Sequence, residues 1–317
     1  MSTPLSVLKA LDEIKRRELH GATLITRITL DALSEAAVSS KAKEPGELFK
    51  ELKDCGDLLV KSRPTSILLV NGTRHVLHQI KQGVDRGLNV EELRSLARLH
   101  VTEFLHEIED SVNKISEIGA RRLSQDDVIL THGYSTSVIS VLQRAQQEGK
   151  NIRVMVTETR PEFQGRLIAK ELAKLGIPTT MIVDSAVCHF MKDINKVLVG
   201  AEAVAANGAV VNKIGTSAIA SVAHESRVRV FVAASIYKFS PETMFGELIE
   251  IEERDPFLVI SKEELQSLGN ITVRNPAFDV TPPEHIDLII TERGVMPPQG
   301  AIMILRERRQ LPILDLG

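Results

Sequence analysis

Cysteine is scarce in this chain: Cys55 and Cys188 are the only two, with neither CxxC spacing nor the density of a secreted disulfide scaffold, which points to a reducing compartment. Charge of one sign is also lacking. The 39 Lys and Arg against 42 Asp and Glu leave a formal net charge of −3, without the broad positive field that a nucleic-acid backbone needs, so no nucleic acid is expected as a partner. No long apolar run occurs, and the first twenty residues carry charges throughout; they fit neither a signal peptide nor a membrane span, and a soluble, cytoplasmic protein is expected. Repeats, low-complexity tracts and long linkers are absent, so any domain boundary is expected to be a packed joint.

What is present is an ordinary globular composition, 43% hydrophobic and 26% charged over 317 residues, enough for one large or two ordinary domains. Up to Leu123, apolar residues recur three and four apart, as in Leu93, Leu96, Val101, Phe104, Leu105, Ile108, Val112, Ile115 and Ile118. That spacing predicts a helix of about 30 residues, roughly 45 Å long. Shorter helices are expected over Ala22–Val38, Pro45–Lys61 and Ser66–Arg86. After Asp126 the pattern changes to short aliphatic runs alternating with helical segments: 128–131, 152–157, 180–183, 196–200, 228–233 and 286–291. Such runs are the mark of parallel strands buried on both faces. The fold class is therefore α/β, an N-terminal helical domain (1–120) followed by a doubly wound parallel-sheet domain (121–317).

In an open parallel sheet, ligands sit beyond the carboxyl ends of the strands, where helix amino termini attract anions. The segments there are THGYS (131–135), TETRPEFQGR (157–166), DSAVCH (184–189), GAEAV (200–204), NGAVVNKIGT (207–216) and SIYKFSP (235–241), read here as loops. Arg160 and Arg166 flank Gln164 and Gly165 before one helix; Asn212, Lys213, Gly215 and Thr216 stand before another. Guanidinium forks, an ammonium and free amides are what a phosphate requires. Ion pairing explains Arg160 or Lys213 taken alone, and their shared position at strand ends favours a ligand. In the helical half, Gly21 and Ala22 of HGAT, with Arg63 and Arg74, are candidates to close the pocket; helix capping and solvated arginines are the alternative. Tyr134 and Tyr237, the only two tyrosines, fall in strand-end loops and suit ligand contact or packing equally. His132 is read first as a hydrogen-bonded structural histidine, and second as an acid/base group. Cys188 is read first as buried and inert, and Cys55 as core. His75 and His78 lack a companion carboxylate motif, so no metal is expected.

The segments EIGARRL, THGYS, VTETRPEFQG, VDSA, GAEAVAANGAVVNKIGT, YKF and NPAFDVTPPEHIDLIITERG resemble the superfamily of translation initiation factor 2B regulatory subunits. That superfamily also holds ribose-1,5-bisphosphate isomerase and methylthioribose-1-phosphate isomerase. The resemblance runs from about Gly21 to Pro298. It implies a Rossmann-like second domain, a pocket between the domains, dimerisation through the sheet domain, and a sugar-phosphate pocket whose positions Arg160, Gln164, Asn212 and Lys213 match; Gly133, Tyr134, Ser135, Asp184, Glu202, Tyr237 and Lys238 complete the candidate phosphosugar or nucleotide site. No cofactor is implied. The isomerases move a proton between adjacent carbons, for which the resemblance implies a thiol after the TH dipeptide and an Asp in a GAD motif. Gly133 and Glu202 stand at those positions, as in the initiation-factor alpha subunit. The expectation is accordingly a non-catalytic regulatory subunit that binds a sugar phosphate or nucleotide monophosphate. Initiation factor 2 would be its partner, with a role in nucleotide exchange and translation regulation. The alternative is an aldose-1-phosphate isomerase using Glu202 with Tyr134, His132 or Cys188.

Overall fold

A computed structural model describes residues 3–16 and 21–307; His20 of the HGAT segment lies outside the described residues. The described residues divide into two compact units: one runs to Asp110 and takes in Arg306 and Glu307, and the other is Ser111–Leu305.

The first unit is helical: α1 (Leu5–Arg16), α2 (Ala22–Ser39), α3 (Pro45–Lys61), α4 (Ile67–Asp85) and the start of α5 (Val90–Ala120). Local chemistry sets the ends. Pro45 starts α3, where its missing N–H costs no hydrogen bond, with Glu47 in the first turn and Lys61 in the last, each complementing the helix dipole. Leu30, Leu33, Leu48, Leu52, Leu59, Leu69, Val76 and Ile80, spaced three, four or seven apart on their helices, are fully buried. Cys55 is buried among them, and burial, with Glu51 and Asp54 adding to it, pushes its thiol up to about 11.

The second unit alternates strands and helices: β1 (Val128–Thr131), α6 (Thr136–Gln147), β2 (Arg153–Thr157), α7 (Gln164–Lys174), β3 (Thr179–Ile182), α8 (Val187–Phe190), β4 (Lys196–Val199), β5 (Ala203–Val204), β6 (Val210–Lys213), α9 (Thr216–Glu225), β7 (Arg229–Ala233), α10 (Lys262–Leu268), β8 (Phe278–Thr281), β9 (Leu288–Thr291), β10 (Gly294–Met296) and α11 (Ala301–Glu307). Seven strands form one sheet in the order β10-β9-β7-β4-β1-β2-β3, parallel except for β10. The apolar cores lie on both faces of this sheet, with Leu130, Val197, Val199 and Val230 in one and Ile129, Val154, Leu198 and Phe231 in the other. Alternate residues of a strand thus serve opposite layers.

One element departs from the sequence reading. GAEAV and NGAVVNKIGT are not plain loops, because β5 and β6 pair antiparallel and β6 pairs with β8, making a second, three-stranded sheet. Strands of two and four residues are too short to show a period, and the partner of β6 is distant in sequence. Between β7 and β8 the chain makes a long excursion of turns and α10; there Arg254 donates its N–H to the Asn275 carbonyl (2.7 Å) and Ala277 to that of Glu252 (2.8 Å). No helix of the described residues is long and apolar enough to cross a membrane.

Candidate active site

The order of the sheet reverses at β1. The chain steps from β1 outward through β2 and β3, then returns to β4 on the other side, so the carboxyl ends of β1 and β4 border the crevice where doubly wound sheets bind ligands. Gly133 and Gly200 follow those two strands. Gly200 is required there: a Cβ would stand 2.6 Å from Ser135 Oγ. Ser135 is the N-cap of α6, its Oγ accepting from the Val138 amide. Gly133 has φ +75°, and a Cβ on it would point at Lys213 (3.1 Å to its Cβ) and Gln164 (3.8 Å to Oε1).

His132 is spent on structure. Its Nε2–H donates to the Ile214 carbonyl (2.7 Å), which fixes Nδ1 as the acceptor of the Thr157 hydroxyl (2.5 Å). Burial holds the imidazole below its ordinary value, against the raising effects of the Ile214 bond and Asp184. A neutral ring with both nitrogens engaged ties β1 to β2 and β6.

The loop after β2 is held by a carboxylate. Asp184 accepts from the amides of Thr159 (2.8 Å) and Arg160 (2.7 Å), and Thr159 Oγ1 in turn accepts from the Gly133 amide (3.1 Å). Thr159 and Phe163 both take left-handed backbone, and the Arg160–Pro161 bond is cis. Arg160 and Arg166 lie over the Phe163 ring at 5.0 and 3.9 Å, and Arg160 also donates to the Val259 carbonyl. Both arginines are exposed.

Gln164 and Lys213 meet. The Tyr134 amide donates to Gln164 Oε1 (3.2 Å), while Gln164 Nε2 and Lys213 Nζ both donate to Glu162 Oε2 at 2.8 Å. Glu162 stands inside the TETRPEFQGR block but was not singled out by sequence, because a carboxylate is not what a phosphate site suggests. The reading of the α9 amino terminus as a phosphate site needs correction, since Asp279 already accepts from Gly215 N (2.7 Å) and Ser217 N (3.1 Å) there. Asn212 Nδ2 donates to Thr216 Oγ1. Asp279 could not be placed from sequence because β8 brings it in from far along the chain.

Glu202 follows β4 and is buried. The next carboxyl-end group is Lys238, also buried, whose Nζ donates to the Ala201 carbonyl at 2.6 Å. Burial lowers the Lys238 ammonium, opposed by the charges of Glu202 and Glu292. Glu292 was missed by sequence; it accepts from Ser111 Oγ, Ser235 Oγ and the Ile236 amide. Tyr237 and Tyr134 are half-buried, and burial raises the Tyr134 phenol. Cys188 is exposed, not buried as expected, because it falls on the outer side of the one-turn helix α8 while Val187 takes the core position. In the helical unit, Gly21 caps α2 with φ +87° and Ala22 opens that helix, Arg63 lies in the α3–α4 turn, and Arg74 is on α4; both arginines are half-buried. No cluster of three or more His, Cys, Asp or Glu suited to a metal occurs among the described residues.

The sequence pattern of the Initiation factor 2 subunit family matches residues 18–298. The chain belongs to that family. Two family relatives are ribose 1,5-bisphosphate isomerases: that of Thermococcus kodakarensis is 48% identical, covering 97% of this chain and 96% of its own, and that of Pyrococcus furiosus is 49% identical, covering 95% and 93%. Among solved structures, the Pyrococcus horikoshii translation initiation factor eIF-2B matches with a TM-score of 0.81 at 29% identity, covering 94% of this chain and 99% of that one. These relatives overturn the expectation of a non-catalytic regulatory subunit with an initiation-factor role in translation. Near 50% identity over almost the whole chain lies with isomerases, and it outweighs the two substitutions at Gly133 and Glu202.

Proposed function

We propose that this protein is a cytoplasmic, homodimeric isomerase that converts an aldose 1-phosphate, ribose 1,5-bisphosphate, into the corresponding ketose bisphosphate. The observation that carries the reading is the pair of buried ionisable groups after β4 and β7. Glu202 and Lys238 lie beside the sheet's reversal point, close enough for the charge of one to act on the other. Such a pair suits proton transfer in a site shielded from water.

The conversion is redox-neutral within the substrate. The bond from C1 to the ring oxygen breaks and that oxygen gains a proton; hydrogen moves from C2 to C1, and the C2 hydroxyl loses its proton to become the ketone. Both phosphates stay in place, and no cofactor is proposed. Glu202 is assigned the proton leaving the sugar, and Lys238 the negative charge developing on oxygen. Gln164 and Lys213 are assigned a phosphate, by an amide and an ammonium held between β1 and β6. Gly133 offers no proton, so the proton relay falls to the side chains around it.

The test is ketose formation from ribose 1,5-bisphosphate by purified protein. The parent turns substrate over, and Glu202→Gln loses roughly 100-fold or more in kcat while still gaining thermal stability from the substrate. A parent protein that is stabilised by the substrate but forms no ketose would sink the proposal.

A further inference from the structure

Lys213 is assigned a phosphate, yet it is already neutralised. Its Nζ donates to Glu162 Oε2 at 2.8 Å, the same oxygen that takes the Gln164 amide at 2.8 Å. Glu162 therefore holds both groups that the proposed substrate phosphate requires. The other oxygen of Glu162 faces Arg254 Nε at 3.7 Å, and Arg254 pairs with Glu252 at 2.9 Å. The four charges alternate in sign along a chain whose side chains are only 8% (Lys213), 16% (Glu162), 13% (Arg254) and 10% (Glu252) exposed. They come from three places: the loop before α7, the end of β6, and the excursion between β7 and β8.

We infer that Glu162 is an internal competitor of the substrate phosphate, a specificity-determining carboxylate that must leave Lys213 and Gln164 when the phosphate arrives and that passes to Arg254. The inference rests on the phosphate assignment above. Its physical basis is that a phosphate dianion and a carboxylate cannot share one buried ammonium: like charges in a poorly hydrated site repel strongly, and Lys213 Nζ and Gln164 Nε2, which donate to Glu162 Oε2, are the donors the phosphate would need. Arg254 makes the exchange possible by offering a second cation to the displaced carboxylate. Glu162 thus sets a threshold that a weak or singly charged anion does not cross and a phosphate dianion does. Selectivity for phosphorylated sugars over free ones follows.

The probes are inorganic phosphate and ribose 1,5-bisphosphate, titrated calorimetrically into the parent, Glu162→Gln and Glu253→Gln, Glu253 being an exposed carboxylate of the same excursion that pairs with Arg274. The two variants lose the same charge, but only the first contacts Lys213. Glu162→Gln should bind inorganic phosphate about tenfold more tightly than the parent, and Glu253→Gln should change affinity by less than about threefold. In kinetics the first variant should show a lower KM at comparable kcat. Glu162→Gln takes the carboxylate charge away from a buried ammonium; if that prevents folding, Glu162→Asp, which shortens the reach, is expected to bind phosphate more tightly than the parent as well. Equal affinity of parent and Glu162 variant overturns the inference and leaves the phosphate site standing, as does an equal gain in both Gln variants. Failure of every protein to bind either probe overturns both readings.

Discussion

Gly165 illustrates how little freedom single positions around the site have. The chain after β2 folds back so closely that a Cβ on Gly165 would stand 1.8 Å from the Thr157 carbonyl oxygen, with its own amide donating to Glu158. Both backbones are held, since Thr157 is paired with Ile182 of β3 and Asp184 pins the loop. Gly165→Ala should therefore cost about 3 kcal/mol or more in urea unfolding, and a loss under about 1 kcal/mol would show the loop to be softer than it looks. At the same scale, sequence could name Gln164 and Lys213 because polar residues after strands are conspicuous. It could not see that Glu162 joins them, or that His132 has both nitrogens occupied, since each depends on partners brought in from other strands.

Among the elements, α9 shows the same dependence. Its amino terminus offers amides to an anion, as any helix does, and the fold supplies that anion from β8 in the form of Asp279. Burial pushes the Asp279 carboxyl up to about 6, more than its amide bonds pull it down. Folded protein then keeps a proton that the unfolded chain releases between about pH 3.8 and 6. The stability tied to that proton is fully present below pH 3.8 and is lost as pH rises through 6. Asp279→Asn should flatten the fall in Tm with rising pH across this window, measured by thermal scans in steps of half a pH unit or so. A variant whose Tm falls as steeply as the parent's would assign the dependence to another group. Helix α3 was legible beforehand, because Pro45 marks its start locally. Strands β5 and β6 were not, because antiparallel pairing with β8 is a property of the folded chain alone.

For the whole molecule, the seven-stranded sheet ends at β3 on one side, where Met181 and Val183 are 51% and 52% exposed. Apolar side chains at a sheet edge suit the proposed homodimer, which would be isologous if two-fold. Light scattering should give a mass near twice the 35.0 kDa of one chain, and Met181→Lys should shift it toward a single chain if β3 carries the contact. An unshifted dimer would place the contact elsewhere. Periodicity and punctuation along the chain were sufficient for the helical run before Asp126, the parallel strands after it, and the strand-end search that led to Gln164 and Lys213, while Gly133 and Glu202 stood out through the family resemblance. These are local properties: each depends on residues a few positions apart. The pairing of Glu162 with Lys213 and of Asp279 with α9, and the approach of Glu202 and Glu292 to Lys238, were settled only when the sheets closed. Burial and charge act through space, and the partners in each case come from segments distant along the chain.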